Sequence, residues 1–136
     1  MQNINFDEGY KEFSINGDEK RVIRFNPKDF GILTRMEDTL SDFGEIEKKL
    51  KESNDDNLTA VLKEAEKSVH EKIDEIFNAD VHDIIFNHQS PISLVGGEFL
   101  FMRVIKAIIP IVEKEVKKEM QASEKRMSKY TEKYHK

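Results

Sequence analysis

The chain has 136 residues, no cysteine, 36% charged residues and a formal net charge of −5. Disulfides, thiolate metal sites and cysteine nucleophiles are therefore excluded, and the length suits one domain with its own core. No apolar run reaches the roughly 18–20 residues that span a bilayer, and MQNINFDEGYKEF lacks a basic, apolar leader, so a cytosolic protein is expected.

KEFSI and RVIRF are short apolar-polar runs separated by NGDEK, and Asn16-Gly17 tolerates the positive φ of a primed turn. They predict a β-hairpin over about residues 10–26. A two-stranded hairpin is marginal alone, so it should dock on helices or offer its open edge to another chain. Asn26-Pro27 then reads as N-cap and first helical position. Phe30, Leu33, Met36, Leu40, Phe43, Ile46 and Leu50 recur at three-and-four spacing and predict an amphipathic helix to about residue 52. SNDDN breaks it. A second helix follows, with Leu58, Val61, Leu62, Ala65, Val69, Ile73, Ile76 and Phe77 on one face, and the two should pair antiparallel.

Asp80 is expected to cap a short helix in VHDIIFN, which Pro91 prevents from continuing. After the break at Gly96-Gly97, residues from Glu98 to Val112 are apolar around most of a helix, as in an element buried in a core or against partners. Pro110 should kink that helix, or end it and open another. Beyond it Val116, Met120, Ser123, Met127, Tyr130 and Tyr134 form a thin heptad seam. The fold class expected is mostly α, with an N-terminal hairpin and about four helices. Residues 1–120 would form a single α-rich domain and residues 121–136 a projecting or frayed basic helix. Residues 113–136 carry +3 against −8 for residues 1–112, a balance suited to self-association or an acidic partner.

The candidate chemistry centres on DVHDIIFNHQSP. A zinc-type pair on one helix needs histidines a turn apart, but His82 and His88 are six residues apart. His70 and Asp74 have the right spacing, and His82-Asp83 is similar to the paired ligands of metal-dependent phosphohydrolases. A small metal-dependent hydrolase using His70, Asp74, His82, Asp83 and His88 is thus the enzymatic alternative. At that spacing His82 and His88 do not converge, and His70 with Asp74 suits a solvated face as readily as a metal, so no metal, cofactor or catalytic residue is expected. Gly96-Gly97 lacks a phosphate-loop context, and Ser14, Ser90 and Ser93 lack a nucleophile elbow. The lysines of KEVKKEMQASEKRMSKYTEKYHK are interleaved with glutamates, as in intrahelical pairs rather than a nucleic-acid track.

The layout carries a further clue. FSINGDEKRVIRFNPKDF, helices, IDEIFNADVHDIIFN, a glycine-containing break and a long apolar helix resemble the tail assembly chaperones of long-tailed phages and prophage elements. Phe77 and Phe86 stand where that family's stretch of the form IDEIFGEGT…KIFG has phenylalanines, and Asn78 and Asn87 where it has glycines. The resemblance implies a non-enzymatic, oligomeric protein that binds the helical tape measure protein, with the tail tube protein as a second candidate partner and no nucleic acid or membrane. The residues expected to carry such contacts are Phe86, Phe99, Met102, Ile105 and Ile109 in a groove or core, and Met127, Tyr130 and Tyr134 between subunits. A generic helical adaptor or inhibitor is the remaining alternative.

Overall fold

The computed structural model describes the backbone of residues 1–134 and the side chains of residues 1–125. Strands β1 (Lys11–Ile15) and β2 (Asp18–Phe25) pair antiparallel, with Phe13 opposite Ile23 and an irregularity between Ser14 and Ile15. Asn16 and Gly17 take φ of 53° and 74°, the two positive values a tight primed turn requires. The expected hairpin is present and docks on helices. Phe13 stacks on Phe25 at 4.5 Å, and Phe25 in turn meets Phe77 at 5.0 Å.

Helix α1 runs from Phe30 to Glu52, and its N-cap is Asp29, whose side chain accepts from the Gly31 amide at 2.8 Å. The expected cap at Asn26 is therefore three residues early. Asn26 instead holds a turn before the helix, accepting from the Lys28 amide through Oδ1 and from the Asp29 amide through its carbonyl. Asp is as good a cap as Asn, and here it lies beside the helix. The buried face is also rotated from the expected stripe: Ile32, Met36, Thr39, Phe43 and Leu50 are buried, whereas Phe30 and Leu40 are exposed on a flank.

Helix α2 (Leu58–Phe77) lies antiparallel to α1, as the Lys72–Asp42 ion pair (2.9 Å) and the bond from Arg35 Nε to the Ile76 carbonyl (3.0 Å) require. It ends at Asn78, in the left-handed conformation at φ 51°, and helix α3 (His82–Phe86) ends likewise at Asn87, φ 53°. Asparagine accepts this conformation at low cost. A second, two-residue hairpin follows, β3 (Leu94–Val95) with β4 (Glu98–Phe99), turning on Gly96 and Gly97 at φ 60° and 79°. The sequence reading took that glycine pair for a simple break.

Helix α4 (Leu100–Tyr134) begins two residues later than expected, because Glu98 and Phe99 are taken up in the strand. Its first amides are satisfied by the Ser93 and Pro91 carbonyls, at 2.8 and 3.0 Å. Pro110 lies inside one continuous helix on an exposed position, so it does not divide the element. Phe101 packs edge-on against Phe43 at 5.0 Å, and Lys28 reaches Glu119 at 3.2 Å, which sets α4 antiparallel to α1. Helix α1 is thus flanked by α2 and α4 around one apolar core. Among the described residues no helix is long and apolar enough to cross a membrane.

Candidate functional site

The densest group of polar side chains forms where α2 hands over to α3. On α2, His70 and Asp74 are one turn apart and share a face. The reversal at Asn78 then folds the chain back, so that the start of α3 meets the last turns of α2. Asp74 fixes this return: its Oδ1 accepts from the backbone amides of Val81 (2.9 Å) and His82 (3.0 Å). The expected capping by Asp80 does not occur, since the orphan amides of α3 are already taken by a carboxylate from the preceding helix. Asp80 itself points to solvent, 84% exposed, with Oδ1 3.2 Å from His82 Nδ1.

The other oxygen of Asp74, Oδ2, lies 2.7 Å from the same His82 Nδ1. His82 Nε2 faces Asp83 Oδ1 at 3.5 Å, and that oxygen is 3.8 Å from His88 Nδ1. The ring of His70 stacks on that of His82, with centroids 4.3 Å apart and planes 24° from parallel. His70 and His82 therefore lie together, because the chain reverses at Asn78 between the two helices that carry them, while the expected lack of convergence between His82 and His88 stands. His82 and His88 meet only through Asp83.

The environments of the stacked pair drive them apart in proton affinity. Burial lowers the pKa of His70, and the neighbouring His82 lowers it further. Burial also pulls on His82, but its hydrogen bond to Asp74 and the charges of Asp74, Asp83 and Asp80 outweigh this, and its pKa is raised. The surface over the pair is a solvent-open depression bordered by Lys63, Glu66, Lys67 and Glu71. It contains no serine, threonine or cysteine among its lining residues. The chemistry it offers is proton exchange at His82 Nδ1, or cation capture between that nitrogen and the carboxylates.

The residues expected to make protein contacts are placed unevenly. Phe86 and Ile105 are core residues, 2% and 0% exposed, which resolves the choice of groove or core in favour of core for both. Phe99 stacks on Phe101 at 5.5 Å, and Met102 and Ile109 are likewise half-buried against the core. Met127, Tyr130 and Tyr134 lie outside the residues whose side chains are described. The apolar side chains that do face outward include Leu94 and Val95 on β3, and Ile111 and Met120 on α4. Leu94, at 65% exposure, was missed by sequence reasoning, although an apolar pair followed by Gly-Gly is itself a hairpin signal.

Compared with protein-family models, curated proteins and solved structures, the chain matches none.

Proposed function

We propose that the protein is a non-enzymatic tail assembly chaperone, which holds the helical tape measure protein of a long-tailed phage or prophage element during tail assembly and works as an oligomer. The observation that carries this reading is the backbone at Asn78 and Asn87. The chaperone stretch that the sequence resembles has glycine at both places, and the natural reason for glycine there is a left-handed helix end. Asn78 and Asn87 adopt that conformation at φ 51° and 53°, each terminating a helix one residue after a buried phenylalanine. Asparagine in place of glycine at both positions is thus compatible with the left-handed helix ends that the family's glycines suggest.

Two further features support the reading. Exposed apolar side chains, Leu94 and Val95 beside the β3–β4 turn among them, are available for contact with an apolar partner, and the open edges of the N-terminal hairpin suit strand addition between copies. In this role the protein binds its partners through apolar side chains and catalyses nothing. The test is light scattering over a range of concentrations, combined with co-expression of an apolar helical fragment of a tape measure protein. An oligomer that carries the fragment into the soluble fraction is the expected result. A strict monomer that leaves the fragment insoluble overturns the proposal.

A further inference from the structure

The cluster at the α2–α3 junction has no task in that role, and its geometry is specific. His82 Nδ1 has two carboxylate oxygens upon it, Asp74 Oδ2 at 2.7 Å and Asp80 Oδ1 at 3.2 Å. The single Nδ1 proton serves Asp74 at the shorter distance, and the solvent-facing Asp80 carboxylate stands beside it as a second oxygen donor.

A metal ion suits this arrangement. Imidazole and carboxylate donors bind at about 2.0–2.2 Å, so neighbouring ligands on an octahedral ion sit about 3.0 Å apart and on a tetrahedral ion about 3.4 Å. The His82–Asp80 separation of 3.2 Å lies between those values, and the His82–Asp74 separation of 2.7 Å, a hydrogen bond in the metal-free protein, would open by a few tenths of an ångström. All three donor atoms lie within 4.8 Å of one another. We propose that Asp74, Asp80 and His82 form a site for one divalent first-row transition-metal ion, which pins the start of α3 to the last turns of α2.

The surroundings fit a ligand set. Asp74 is oriented by its two backbone amide bonds through Oδ1, while Oδ2 faces His82 and Asp80, the arrangement expected of a supported metal ligand. The His82 ring is held in plane by the stacked His70 ring. A nitrogen among the donors favours manganese, iron or zinc over magnesium and calcium. The three residues leave the remaining coordination positions to water, and the ion's role is to join two helices. Capture replaces the Nδ1 proton of His82, which is released to solvent. The inference is independent of the chaperone reading.

The experiment uses the full chain without an affinity tag, stripped of metal and titrated with Zn²⁺ and with Mn²⁺ by calorimetry. Binding of one ion per chain with proton release is expected. D80N changes an exposed side chain with no backbone bond and H82Q removes the nitrogen donor. Each is expected to weaken binding at least about tenfold, as losses at metal centres do. H88Q removes a histidine outside the set and should bind as the parent does. Absence of saturable binding, or binding that D80N and H82Q both retain, overturns the proposal.

Discussion

Arg21 joins the N-terminal hairpin to α3, and its replacement by methionine gives the sharpest test of how the two halves of the fold are held. The last carbonyls of α3 are accounted for one by one. Asp83 accepts from the Asn87 and His88 amides, and Phe86 from Gln89. Ile84 and Ile85 have no such partner and accept from Arg21 Nε at 3.0 Å and Nη2 at 2.7 Å. The guanidinium also places a positive charge at the negative end of the helix. A hydrogen bond to a charged group contributes about 1.5–3 kcal/mol, and water competes at a half-buried site, so the two bonds together are worth about 2–4 kcal/mol. R21M keeps the aliphatic stem and removes both donors. Urea unfolding should show a stability loss of about 2–4 kcal/mol, and the melting temperature should fall by roughly 10 °C. R21K, which supplies a point charge without the fork, should fall between the parent and R21M. A loss below about 0.5 kcal/mol in R21M would refute the reasoning, since it would mean that the two carbonyls are served equally well by water.

Three other outcomes follow from the same geometry. P110A restores an amide inside α4 at an exposed position and should raise stability by about 1–3 kcal/mol; thermal melting checks this, and a loss would mean that the proline ring itself contributes to packing. F43A empties a fully buried site against Phe101 and should cost about 3–5 kcal/mol by urea titration, with F43L costing less than half of that. The stacked histidines should give opposite pH slopes in metal-stripped protein. His82 has a raised folded pKa, so its contribution is present below the ordinary histidine value and is lost as pH rises through the folded one. His70 has a lowered folded pKa, so its contribution is present above the ordinary value and is lost as pH falls through the folded one. Stability of H70Q and H82Q between about pH 5 and 8, each against the double variant, isolates the two slopes; slopes of the same sign would contradict the assignment.

Much of the architecture was legible because it is local. Asn16-Gly17 announces its turn, SNDDN its break, and the three-and-four spacing of apolar residues its helices. The caps were harder. Asn26 and Asp29 compete for the same helix start, and a one-dimensional reading has no means of preferring the later one. At α3 the cap comes from Asp74, eight residues before His82, and only the folded-back chain makes that visible. The histidine pair was out of reach for a related reason: His70 and His82 sit on different helices, and the reversal at Asn78 that stacks them leaves no periodic trace in the sequence. Burial on α1 was misassigned by one flank, because the helix has neighbours on two sides and its most buried line lies between them.

The Arg21 bridge also has a consequence for synthesis. Its acceptors lie 63 and 64 residues further along the chain, and Phe25 waits for Phe77 in the same way. At about 5–20 residues per second, a ribosome delivers α3 some 3–13 seconds after the hairpin. Until then the hairpin lacks the Arg21 bridge, and Phe25 lacks its ring partner Phe77 for nearly as long. The charged residues Glu12, Arg21 and Arg24 on the same two strands keep the waiting hairpin hydrated until its docking partners arrive.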